Sequence, residues 1–236
     1  IPGALLVERW SARKWFARIL ITWGFISAAM AFVHTPSQFY WARFFLGVAE
    51  AGFFPGIIVY FTHWFAQNDR SRALSGLLVA VPFSLALGAP VSSMLLDVQW
   101  FGLDGWQWLF IVEGLPAVVL GAFVFFWLVD RPKQAKWLTE EESTALEAEL
   151  ERERAETRKG KRMTVLEALR HPKVLLLALV YFCTVTGSYG IEFFMPSILK
   201  SWYAMDMNQL TWLIMLPPFV AMCGQLIVGW RDRKSV

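Results

Sequence analysis

The chain has 236 residues, 56% of them hydrophobic and 16% aromatic, with 22 Lys and Arg against 19 Asp and Glu for a net charge of +3. That apolar share exceeds the roughly 45–50% of soluble domains, so the composition excludes an ordinary globular domain and suits a bilayer. The slight positive charge accompanies no groove-reading motif, which excludes nucleic acid as a partner.

Every Lys and Arg except Arg43 and Lys200 falls in one of four segments, 9–18, 70–72, 131–173 and 231–234. Long, nearly uncharged stretches separate them, the pattern of a polytopic membrane protein whose basic turns are held on the cytoplasmic side. In chain order, residues 1–6 read as the tail of one span. The basic turn Glu8-Arg9-Trp10-Ser11-Ala12-Arg13-Lys14 follows. At about 20 residues per crossing, spans are predicted over 16–34, 38–64, 73–96 and 106–129, then over 173–199 and 207–230. Orientation alternates without conflict, and Trp64, Trp100, Trp106, Trp202 and Trp230 fall near the predicted interfaces.

The second of these spans carries the sharpest constellation, Arg43 and Glu50. An ionisable group inside a span costs about 2.5–3.5 kcal/mol on insertion scales and is normally kept for function. Seven residues at 100° each place both side chains on one face, about 10 Å apart along the axis, too far for an ideal ion pair. A guanidinium grips a carboxylate in bidentate fashion, and a desolvated Glu near the midplane takes and releases a proton. Together they point to coupled movement of an anion and a proton. A structural ion-pair network with partners on other helices fits the same residues. Around them Gly47, Ala49, Ala51, Gly52 and Gly56 favour close helix packing. Pro55, Pro82, Gly88 and Pro90 mark kinks or flexible points.

Glu113, near the outer end of the fourth predicted span, is a candidate second proton site. Residues 130–171 are the one long polar segment, with acids and bases in balance as in a solvated connector. Thr139 and Glu142 form a capping box that predicts a surface helix, backed by Leu138, Leu146 and Leu150. Beyond Pro172, Glu192 is a further proton-site candidate, and Tyr189, three residues earlier, shares its helix edge and lines the same prospective cavity. Glu113 and Glu192 each fit an interfacial, solvent-reaching role equally well.

An acid followed by basic residues recurs at Asp232-Arg233-Lys234, six crossings after Glu8-Arg9, as in a transporter built from two like halves. Cys183 and Cys223 sit in apolar runs and act as small hydrophobes. His34, His63 and His171 stand at span ends far apart, with no HExxH. No catalytic cluster, metal site or cofactor is therefore expected, and the reading is not an enzyme. Ile1 opens the chain without Met and Val236 closes it just past a span, which reads as an internal fragment.

These residues resemble the major facilitator superfamily, and within it the anion:cation symporter branch of tartrate, phthalate and hydroxyphenylacetate permeases. The superfamily's loop motif, Gly-x-x-x-Asp-Arg-x-Gly with following basic residues, appears as Ala4-x-x-x-Glu8-Arg9-x-Ser11 with Arg13 and Lys14. Ala4 and Ser11 depart from its glycines. RFFLGVAEAGFFPG from Arg43, GWQWLFIVEG from Gly105 and DRPKQAKWL from Asp130 resemble the branch more specifically.

The resemblance implies an all-α helical bundle, helices two to eight of twelve. Its N-terminal half would occupy residues 1–129, a cytoplasmic connector 130–171, and the start of the C-terminal half 172–236. It implies a monomer in the cell inner membrane that moves a small organic anion, such as tartrate, together with protons. An aromatic carboxylate is the alternative cargo. By the same resemblance Arg43 recognises the anion and Glu50 couples the proton. Glu8, Arg9, Arg13, Lys14, Asp232 and Arg233 would act as gating latches.

Overall fold

The computed structural model describes residues 11–159, 165–203 and 206–232, and among them the regular structure is helical, with no strand. Helix α1, Ala12–Ala29, begins where Ser11 Oγ accepts from the Lys14 N–H at 3.2 Å, and runs on through a 3-10 turn, Met30–Phe32. Helix α2, Pro36–Glu50, starts at a complete capping box between Thr35 and Gln38, with Pro36 in the first turn where its missing N–H costs nothing.

The second crossing is broken. It resumes as α3, Phe53–Phe61, after a turn at Ala51 and Gly52. Pro55 explains the break, because it cannot donate to the carbonyl of Ala51 four residues earlier. Arg43 and Glu50 do share one helix, and Glu50 is its last residue.

Helix α4, Gln67–Leu96, starts six residues before the predicted span and contains Pro82 and Pro90. Helix α5, Gly105–Trp127, opens on a capping box between Asp104 and Gln107. The connector forms α6, Glu140–Lys159, behind the expected box: Thr139 Oγ accepts from the Glu142 N–H at 3.2 Å, and Glu142 Oε2 accepts from the Thr139 N–H at 3.0 Å. A short α7, Val165–Arg170, precedes α8, Pro172–Tyr203, and α9, Met207–Asp232. Among the described residues five stretches are long and apolar enough to cross a membrane, Ala12–Phe32, Pro36–Phe61, Asp69–Leu96, Gly105–Trp127 and Pro172–Tyr203; in α9 the apolar stretch is the shorter Gln209–Gly224.

Helices α1 and α5 form the most extensive seam. A Cβ on Gly24 would lie 2.6 Å from the Gly114 carbonyl oxygen, and one on Gly114 would lie 2.7 Å from the Gly24 oxygen, so the two backbones touch. On another face of α1, Trp15, Phe16 and Ile19 form a buried cluster against Phe53, Ile57 and Tyr60 of α3. Trp15 Nε1 donates to the Gly52 carbonyl at 3.4 Å, an oxygen that also accepts from the Gly56 N–H at 3.1 Å, so α1 is tied to the start of α3. Helix α9 packs along α4. Helix α8 makes its main contacts with α7 and α9 and buries none of its described side chains.

Candidate functional site

Arg43 and Glu50 lie on an exposed face of α2. Two turns of helix separate them, roughly 10 Å of rise, and among the described residues no ion pair joins them. The Arg43 guanidinium carbon sits 5.2 Å from the Phe39 ring centroid, one turn toward the helix start. That cation–π contact holds the charge without neutralising it and leaves the guanidinium edge able to donate hydrogen bonds. Glu50 stands where the helix is interrupted. Interrupted helices place polar backbone beside a ligand in the middle of a membrane.

Glu113 on α5 accepts a hydrogen bond from Ser92 Oγ of α4 at 2.9 Å, so its carboxylate has a partner on the neighbouring span. Ser92 gave no signal in the sequence, where it is one small polar residue in an apolar run. Tyr189 and Glu192 lie on α8, with the Tyr189 ring 6.0 Å from that of Phe193. The main contacts of α8 do not include α2, so these two residues are not brought to Arg43 and Glu50.

At the basic end of the molecule the polar contacts are denser. Asp130 Oδ2 accepts from Ser11 Oγ at 2.7 Å and its Oδ1 accepts from the Arg13 N–H at 2.8 Å, which places a carboxylate on the exposed amides at the start of α1. The Arg13 guanidinium lies 5.7 Å from the Phe125 ring centroid, and Lys14 is exposed. Of the other gating candidates, Glu8, Arg9 and Arg233 lie outside the described residues, and Asp232 is described only as the end of α9.

The connector helix is docked rather than free. Glu153 Oε1 accepts from the Gln67 N–H at 2.8 Å and its Oε2 lies 3.6 Å from Arg70 Nη2, so α6 caps the start of α4 from 86 residues away. Arg154 Nη2 donates to the Thr62 carbonyl at 3.4 Å, and the rings of Trp64 and Trp137 stack at 5.9 Å. This capping accounts for α4 starting at Gln67, ahead of the span predicted from residue 73. Neither Asp130 nor Glu153 was singled out in the sequence as a structural partner. Asp130 begins the DRPKQAKWL motif, which was the one available signal.

His63, just past the second crossing, is 7% exposed beneath this dock. Burial, reinforced by the Arg131 and Arg154 guanidiniums and opposed by Asp130, pushes its imidazole down to about 4. An unfolded imidazole takes its proton near 6.5. The dock should therefore be at full strength above about pH 6.5. It should weaken progressively as the pH falls below that value toward about 4. Amide exchange in residues 140–159 of the complete protein, corrected for intrinsic rates, should rise between pH 7 and 5, and His63→Gln should flatten the profile. Equal profiles would remove His63 as the cause.

A family model described as the Major Facilitator Superfamily matches residues 1–235. A provisionally named tartrate transporter of Agrobacterium vitis is 41% identical over 236 residues, covering 100% of this chain and 54% of that protein. A quinolone resistance transporter of Acinetobacter baumannii is 38% identical over 229 residues, 97% of this chain and 53% of its own. The inner membrane transport protein RhmT of Escherichia coli is 39% identical over 198 residues, 84% of this chain and 46% of its own. The chain thus spans about half the length of the curated relatives it matches.

Proposed function

Because the chain belongs to the major facilitator superfamily and forms a multi-pass membrane bundle, we propose that the complete protein is a secondary active transporter importing a small organic anion together with protons. The observation that carries this reading is the pair on α2, a cation and a carboxylate on one membrane face with no ion pair between them. In the proposed cycle Glu50 is protonated from outside and the anion docks at Arg43. Rocking of the two halves then opens the site inward and releases both.

A hydroxy-acid such as tartrate is the favoured cargo, supported by the name of the Agrobacterium vitis relative. An aromatic carboxylate is the second reading, favoured by the Phe39 ring lying directly beside Arg43. The basic turns and the docked connector are assigned to the cytoplasmic side of the inner membrane, with residues 1–129 and 172–236 in opposite halves and the protein acting as a monomer. Proton coupling is assigned first to Glu50, with Glu113 and Glu192 as further sites and Tyr189 as a cavity residue.

The test is proton uptake by the full-length protein in proteoliposomes holding a pH-sensitive dye, challenged with tartrate, other sugar acids, phthalate and hydroxyphenylacetate. Acidification of the lumen with tartrate is the expected result, and acidification with phthalate alone would favour the second reading. Silence with all four, from protein shown to be folded, would overturn proton symport of these anions.

A further inference from the structure

The chain that follows α5 turns back and ties together the helix ends of the first half. Directly past α5, Tyr60 Oη of α3 donates to the Val129 carbonyl at 2.8 Å, and Asp130 accepts from the Ser11 hydroxyl and the Arg13 N–H at the start of α1. Further along, Glu153 of α6 accepts from the Gln67 N–H at the start of α4, and Arg154 donates to the Thr62 carbonyl at the end of α3. The Arg13 and Gln67 N–H groups and the Thr62 carbonyl are of the kind that helices leave unpaired at their ends. Side chains of one segment therefore satisfy the ends of three helices.

Packing reinforces these polar contacts. The Trp64 and Trp137 rings stack with their planes 16° apart, and Pro132, Ala135 and Leu150 are buried in a stretch whose composition suits solvent. Lys133 Nζ lies 2.7 Å from Glu147 Oε2, which joins the 3-10 turn Pro132–Gln134 to α6. Turn and helix thus form one folded unit, and that unit grips α1, α3 and α4. At its far side the short α7 packs on α8 instead. The attachment changes from the first half to the second between Lys159 and Val165.

Two halves that rock against each other need a boundary where one moving body ends and the next begins. We infer that residues 130–159 are a clasp belonging to the first moving body, closed throughout the transport cycle, so that this boundary lies beyond Lys159 and not at Asp130. Opening the clasp in each turnover would strip several charged and backbone groups of their partners at once, and such groups are costly to leave unpaired. The inference rests on the alternating-access reading proposed above.

Double electron–electron resonance on the complete protein in nanodiscs at neutral pH, where His63 is uncharged, tests it. Native cysteines are replaced by serine, and the exposed Ala145 is labelled together with Arg72 of α4 or with Lys173 of α8, each changed to Cys. Tartrate, other sugar acids, phthalate and hydroxyphenylacetate are added in turn. The pair at 145 and 72 should give one narrow distance that none of them shifts, while the pair at 145 and 173 shifts or broadens as the halves move. A broad or two-peaked distribution at 145 and 72 would overturn the clasp. Both pairs fixed would support the clasp and count against alternating access, so the two readings fail separately. In a second arm, Arg70→Cys and Glu153→Cys are joined by a reducible linker. Because undocking is no step of the cycle, uptake should stay within about twofold of the same protein unlinked. A loss of uptake that reduction restores would show that α6 must leave α4, and would overturn the inference.

Discussion

Glu50→Gln in the complete protein is expected to abolish accumulation of the anion driven by a pH gradient, by a hundredfold or more, while exchange of labelled for unlabelled substrate persists. Gln has nearly the shape of a protonated Glu and cannot lose a proton, so it should let the loaded carrier reorient but uncouple it from the gradient. Arg43→Lys keeps the charge and loses the planar fork. With charged hydrogen bonds contributing about 1.5–3 kcal/mol, affinity should fall roughly 10–100-fold. Gradient-driven uptake, counterflow and substrate binding separate the two effects. If accumulation survives Glu50→Gln, coupling passes to Glu113, which has a partner in Ser92, or to Glu192. Unchanged affinity in Arg43→Lys would make Arg43 a structural residue.

The pair on α2 was legible in the sequence because two charges in an apolar run cannot be mistaken for surface, and the seven-residue spacing alone puts them on one face. The helices were legible for a related reason. Apolar runs of membrane length leave few alternatives, and the capping box at Thr139 marked the start of α6 one residue ahead of where it begins. The break after Glu50 followed from Pro55, although the sequence reads that crossing as a single span.

What stayed illegible is contact between distant polar residues. Asp130 reaches Ser11 across 119 positions, and Glu153 reaches Gln67 across 86. No periodicity reports such pairs, and an evenly charged connector looks the same whether solvated or docked. The small residues of the second crossing pack only in part: Ala49 and Gly56 are buried and a Cβ on Gly52 would lie 2.8 Å from the Trp15 ring, whereas Gly47 faces open space among the described residues. The long backbone seam of Gly24, Gly114 and Gly121 on two other helices gave no signal in the sequence.

That seam carries the largest expected effect on folding. At Gly114 an added methyl would lie 2.7 Å from the Gly24 oxygen and 2.8 Å from the Ala28 nitrogen, and both obstacles are backbone atoms. Relief requires α1 and α5 to separate along their length, which loosens the packing that substitutes for hydrophobic drive inside a membrane. Gly114→Ala and Gly24→Ala should each cost about 2–3 kcal/mol, at the upper end of overpacking penalties. Gly121→Ala first meets Ile21 Cγ1 at 2.7 Å, a side chain able to turn away, so it should cost less. The double variant of Gly24 and Gly114 should cost well under the sum, because once the first methyl has parted the helices the second finds room. Thermal unfolding of the full-length protein in detergent reads all four. Equal costs at Gly114 and Gly121, or additivity in the double variant, would mean that the backbones do not touch as described.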